Sequence, residues 1–291
     1  MARRKKKRKS RIGSFLSILV VSAILALGLA RHYFPQESAI VESKIAQLLN
    51  GILPSKGGIY ATDEFTVQNY FPKSEKNLQI LDNIGYTSGF SNKDAIPLWV
   101  AYKLKTPFEY NTSKRPSSFS QDPRAPGSPK HSDYSNSGYD RGHMAPNYAI
   151  GRCYGQAAQM QTFLLTNIVP QRGNMNRGIW REMEQHIAEV AAPRFGAILV
   201  FVGPILEENP AKIKGKISVP AACYAILAAK RGDDIFAAGF IVPQNPQKKS
   251  IWDYCVPIDE IEKLTGIDFL SQLPDSIEDK LEALANPNPF K

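Results

Sequence analysis

Apolar residues fall into three kinds of run along this chain. The first is continuous: Ile12 to Ala30 (IGSFLSILVVSAILALGLA) carries no charge at all. Its length suits a helix that crosses a bilayer, roughly 17–25 residues. The second kind is short, and predicts strands at Pro97–Leu104 (PLWVAYKL), Thr162–Val169 (TFLLTNIV), Ala197–Val202 (AILVFV) and Asp234–Val242 (DIFAAGFIV). AILVFV is unbroken by polar residues and rich in β-branched ones, which suits a central strand. The third kind is periodic. Over Asn176–Ala192, residues Ile179, Trp180, Met183, Ile187 and Val190 share one stripe of a helix. Ser38–Leu49 has the same spacing and predicts a stalk helix stopped by Asn50-Gly51, while Ser276–Ala285 predicts a capped helix before an Asn-Pro-Asn-Pro tail expected to fray.

Strands and helices are interspersed, so the fold class is α+β. Between the first two strands lies a polar stretch rich in Pro, Ser, Lys and Arg, Asn111 to Gly138. A loop of that length in a globular domain is functional or disordered. No internal repeat is present. The chain divides into a basic tail (1–11), a transmembrane anchor or signal peptide (12–30), a stalk or linker helix (31–56), a globular domain (57–275), and a C-terminal helix and tail (276–291).

Charge changes this picture at one end only. The net charge is +9, but residues 3–11 hold eight of the 36 basic residues and no acidic residue precedes Glu37. The rest of the chain carries 28 basic against 27 acidic residues. Any nucleic-acid site in the body must therefore be a local patch. Basic residues before the apolar run hold the N-terminus in the cytoplasm and put the body outside. A cleaved signal peptide, with Gly28-Leu29-Ala30 as the cleavage site, exports the body equally, but signal peptides have shorter apolar cores, so an anchor is favoured. A mitochondrial presequence leading into an inner-membrane anchor fits the dense lysine run less well. Cys153, Cys223 and Cys255 show no Cys-x-x-Cys pairing, which argues against structural zinc and a disulfide scaffold.

Chemistry concentrates in two segments. The first is Ser137–Pro146 (SGYDRGHMAP). A phosphodiester hydrolase needs a base for water, cationic help for the added negative charge, and usually a metal near the leaving oxygen. Arg141 and His143 supply a cation and a base on one side of an extended chain. Gly142 between them removes a side chain and lets a phosphate approach. The second segment is Thr166 to Glu184 (TNIVPQRGNMNRGIWREME). Asn176 opens the amphipathic helix on its inward stripe, where a metal or ordered water would give it a partner. On a regular helix Glu184 is rotated from it by about 80° and lies about 12 Å further along, awkward for joint ligation of one ion. Read alone, Asn176 is better explained as a helix cap, and Glu184 as a solvated charge.

Taken together, the two segments resemble the DNA/RNA non-specific endonuclease family, which includes bacterial secreted nucleases and mitochondrial endonuclease G. The family pattern is Asp-Arg-Gly-His, a strand ending Asn-Ile-x-Pro-Gln, then an Asn-x-Gly-x-Trp helix followed by Glu. All are present in order here, and weaker similarity runs from about Tyr86 to Phe269. The resemblance implies a ββα-metal (His-Me finger) fold with a central mixed or antiparallel sheet. It further implies that His143 is the general base and that Asn176 is the sole direct protein ligand of Mg²⁺, replaceable by Mn²⁺. Glu184 would hold metal-bound waters, Arg141 would stabilise the transition state, Asn167 would support the site from the strand, and Asp140 would tie the hairpin down. Arg115 matches a phosphate-contacting arginine of the family on a looser motif. Arg172, Arg177 and Arg181 flank the site, either as further phosphate contacts or as solvated surface charges. His32, His131 and His186 form no metal-binding pair.

The expected partners are DNA and RNA, the membrane through the N-terminal segment, and, by likeness to relatives that dimerise, a second copy of the chain. No recognition helix, zinc finger or aromatic strip that reads base edges is visible, so sequence preference should be low. Two other readings remain: a nucleic-acid-binding surface protein without turnover, and a phosphodiesterase for a small or lipid-linked diester.

Overall fold

The computed structural model describes Thr66, residues 69–111 and residues 114–291. These all belong to one unit, Ile59–Lys291. The predicted bilayer span at 12–30 and the stalk helix at 31–56 lie outside the described residues. Among the described residues no helix is long and apolar enough to cross a membrane.

Seven strands form the central sheet: β1 Gln79–Asn83, β2 Tyr86–Ser91, β3 Ile96–Lys105, β6 Ala197–Ile205, β7 Ala222–Arg231, β8 Asp234–Pro243 and β9 Cys255–Val256. Two further strands, β4 Asp140–His143 and β5 Ile168–Gln171, pair only with each other. The sheet order is β9-β8-β7-β6-β3-β2-β1, and every pairing in it is antiparallel. The expected mixed or antiparallel sheet is thus antiparallel.

Antiparallel strands with one wet face alternate in burial. Here β3 is buried at every position from Ile96 to Leu104, and β6 from Ile198 to Ile205. Both faces of the sheet centre are therefore covered. The layers are formed by helices α1 Asn147–Tyr154, α2 Gln156–Gln161, α3 at 173–195, α4 Ile258–Thr265 and α5 Asp275–Glu282. The core includes Trp99, Tyr102, Phe201, Tyr224 and Phe269, each essentially inaccessible to solvent.

Three expectations need correction. Thr162–Val169 is not a strand: only Ile168–Gln171 is, and a 3₁₀ turn at Leu165–Asn167 precedes it. The reason is the polar loop, whose Ser120 exchanges backbone hydrogen bonds with Phe163 and Leu165. That loop is ordered over its described part, residues 114–138. Its Asp122 is buried in a two-pronged ion pair with Arg124 and accepts from the Thr166 hydroxyl at 2.7 Å. The Asn-Pro-Asn-Pro tail does not fray either. Phe290 is fully buried against Phe195, and its carbonyl meets His186 Nε2 at 2.6 Å. On α3, Val190 faces solvent while Ile179, Trp180, Met183 and Ile187 are buried as expected, with Ala188 and Ala191 completing the stripe.

Candidate active site

The β4–β5 hairpin and the start of α3 build one cleft. In the hairpin, Asp140 pairs with Gln171, Arg141 with Pro170, Gly142 with Val169 and His143 with Ile168. Alternation along β4 sends Arg141 and His143 into a cleft of about 520 Å³, whose wall also includes Arg115, Asn176, Arg177, Arg181 and Glu184. Among the expected site residues, Asp140, Gly142 and Asn167 lie off this lining.

Gly142 has a different reason from the one its sequence context offered. A Cβ at that position would fall 2.1 Å from Gln171 Oε1. Gln171 is fully buried and its Nε2 reaches Cys223 Sγ at 3.5 Å, so the space beside Gly142 is taken by this side chain, on the face of β4 turned away from the cleft. Asn167 is also fully buried. Its Oδ1 accepts from Ala145 N, and its Nδ2 donates to the carbonyls of Ala145 and Thr162. It clamps the chain just after His143 rather than facing substrate.

Asp140 holds the hairpin to the helix. Its carboxylate receives Arg177 Nε and Nη2, both at 2.8 Å, and Asn176 Nδ2 at 3.0 Å. The Arg177 hydrogen bond, helped by Asn176, keeps Asp140 below the usual carboxylate range. Arg177 is thus committed to Asp140, although its side chain is 74% exposed. Because the amide nitrogen of Asn176 is spent on Asp140, its carbonyl oxygen is the end left to face a cation.

Helix α3 is irregular where this matters. Met175–Trp180 forms a π-type turn, and Gly178 departs from helical geometry at φ −100° and ψ −113°. The break resets the helical phase, so Asn176 and Glu184 reach the same cleft despite their eight-residue spacing.

His143 lies between Phe119 and Phe163, with ring centroids 5.3 and 5.0 Å away. Its Nε2 is buried with no hydrogen-bond partner among the described residues. Burial, reinforced by the positive charge of Arg115, pulls its pKa down to about 3. Glu184 moves the other way: burial pushes it up to about 8, against the pull of the Trp180 indole and Arg115. Arg141 donates to the His131 carbonyl at 2.8 Å and rests over the rings of Phe119 and Tyr134. Arg115 lies over the Phe163 ring. These arginines are positioned by aromatic faces, which leaves their charge available to an anion. The acceptor that holds Arg141 is thus a backbone carbonyl of the polar loop, at His131, which no side-chain pattern in the sequence marks.

The donor set fits a divalent cation. A neutral amide oxygen and a half-buried carboxyl, with no ion-pair partner among the described residues, share one pocket, and hard cations prefer oxygen ligands.

The fold matches a chain in the crystal structure of an EndoG/EndoGI complex, with a TM-score of 0.58 and 21% identity over 68% of this chain and 88% of that one. In sequence, 211 residues are 30% identical to a nuclease of Nostoc sp., spanning 68% of this chain and 75% of the relative. Nuclease C1 of Cunninghamella echinulata is 29% identical over 69% of this chain and 90% of its own length. A mitochondrial nuclease of Saccharomyces cerevisiae is 28% identical over 66% and 65%. The DNA/RNA non-specific endonuclease pattern matches residues 66–276, and this chain belongs to that family. It is a hydrolytic nuclease whose family depends on a divalent metal.

Proposed function

We propose that this nuclease hydrolyses phosphodiester bonds of both DNA and RNA with little sequence preference, using His143 as general base and leaving 5′-phosphates. The observation that carries this reading is that His143, whose Nε2 is buried without a hydrogen-bond partner among the described residues, shares a cleft with Asn176, Glu184 and the guanidinium groups of Arg115 and Arg141. A base must be unprotonated to accept a proton from water, and the environment of His143 favours that state.

Asn176, through its carbonyl oxygen, would ligate Mg²⁺, or Mn²⁺ in its place, and Glu184 would hold the waters around the ion. When bound, the ion neutralises charge on the phosphate and the departing oxygen. The remaining work falls to the protein. His143 takes the proton of the attacking water. Arg141 and Arg115 meet the charge that grows on the phosphate oxygens. Arg181 extends the cationic wall towards a neighbouring phosphate, whereas Arg177 acts on Asp140. Phosphate contacts carry no base information, so binding should weaken steeply with salt while discriminating little. On the sequence reading, the segment 12–30 tethers this domain on the outer side of a membrane.

The test mixes the full chain with supercoiled plasmid, RNA and a small chromogenic diester, with Mg²⁺ or EDTA. Loss of plasmid and RNA that requires metal, and falls about 10²–10⁴-fold in His143→Ala, is the expected result. Asn176→Ala should abolish the metal response. Folded wild-type protein that cleaves only the small diester would overturn the polymer assignment.

A further inference from the structure

A second group of oxygen ligands lies on elements that contribute nothing to the cleft. Asp259 and Glu262 stand one turn apart on α4, so they share a face. Glu282 is the last residue of α5. One carboxylate oxygen from each lies within 4.8 Å of the other two. Clustered acids alone signify little, since surfaces carry many. What distinguishes this cluster is Glu282, which is only 5% exposed and whose Oε1 is buried without any hydrogen-bond partner. A buried carboxyl left unpaired is costly, and native structures normally supply it with a donor or a cation.

Among the described residues, no donor reaches Glu282 Oε1. Among the described residues none of the three carboxylates forms an ion pair. Two lysines near these helices turn elsewhere: Lys73 Nζ towards the Ser271 carbonyl, and Lys76 Nζ to the Thr265 carbonyl at 2.5 Å. Glu262 is held in place by the backbone N–H of Phe269, which donates to Oε1 at 2.6 Å. Asp268 and Glu278 add further negative charge around the group.

We propose that Asp259, Glu262 and Glu282 bind a divalent cation of the calcium type, which joins α4 to α5. Ca²⁺ is favoured over Mg²⁺ because it accepts about 6–8 oxygens in flexible geometry and takes carboxylates in one- or two-oxygen modes, whereas Mg²⁺ demands a near-ideal octahedron. The ion supplies the missing partner of Glu282 and pins the C-terminal helix, which contacts β8, to the rest of the domain.

Calorimetric titration of CaCl₂ into the full chain tests this, with Asn176→Ala separating the cluster from the cleft. Asn176→Ala should retain a Ca²⁺-binding event and a Ca²⁺-dependent rise in Tm. Glu282→Gln should weaken that event by on the order of tenfold or more. In EDTA the same variant should melt no lower than wild type, because it removes an unpaired buried acid; in Ca²⁺ the order should reverse. Asp259→Asn, at an exposed position, should weaken binding likewise and serves if Glu282→Gln does not fold. A Tm unmoved by Ca²⁺, or moved equally in wild type, Glu282→Gln and Asp259→Asn, would show that the acids only share protons and would overturn the proposal.

Discussion

His143 and Glu184 face one cleft with opposite protonation preferences, the imidazole pulled towards its neutral form and the carboxyl inclined to keep its proton, in both cases chiefly through burial. From sequence alone, His143 should protonate near its ordinary value of about 6.5. The aromatic walls and Arg115 change that expectation. With a folded pKa near 3, below its unfolded value, the neutral ring stabilises the fold above the unfolded pKa, and this contribution is lost as pH falls from there towards 3. The ring-proton NMR signals of His143 should therefore stay at their neutral positions from pH 8 to pH 5. A midpoint near 6.5 would show that the ring is open to water. At the neighbouring position, Gly142→Ala must displace the confined Gln171. It is expected to cost about 1–3 kcal/mol in urea unfolding, an overpacking penalty, and to lower turnover by shifting His143.

Among the elements, the hairpin and α3 meet through Asp140. Arg177 contributes an exposed charge, so Arg177→Ala should cost no more than about 1 kcal/mol of stability. Asp140→Ala should cost more, because Asn176 also loses its acceptor, and turnover should fall further than in Arg177→Ala. Chemical denaturation and plasmid nicking on the two variants would check the order; equal effects would reduce Asp140 to a surface partner. This pairing marks where sequence reading stops. The strands at Ile96–Lys105, Ala197–Ile205 and Asp234–Pro243 were legible because long apolar runs force burial. His143 and Asn176 stand out in the sequence because their motifs are local, and the fold brings both into one cleft. The 37-residue link from Arg177 to Asp140 was not, nor was the break at Gly178 that brings Glu184 round to Asn176. Thr162–Val169 was misread because its backbone partners belong to a loop, not to a neighbouring strand.

At the scale of the whole molecule, the C-terminal tail braces the second half of α3, the helix whose first half lines the cleft. His186 meets the Phe290 carbonyl, Arg194 donates to the Pro289 carbonyl, and Phe290 fills a site beside Phe195. Phe290→Ala should destabilise the domain by about 3–5 kcal/mol, the usual cost of emptying a buried aromatic site. A drop in Tm with kcat retained at low temperature would confirm that the tail supports stability alone; a loss of kcat in the folded variant would tie it to the helix geometry as well.

The contact between Asn176 and Asp140 also explains a choice of amino acid. A carboxylate would grip a divalent ion more firmly than an amide. Yet an aspartate at position 176 would set two like charges about where the present atoms lie, 3.0 Å apart. Before any ion arrived, the pair would repel or trap a proton, and the hairpin would part from the helix. The amide avoids this by turning a donor towards Asp140 while its oxygen stays free to accept. On the proposed reading, the hairpin and the helix would therefore already be joined before a cation reached Asn176.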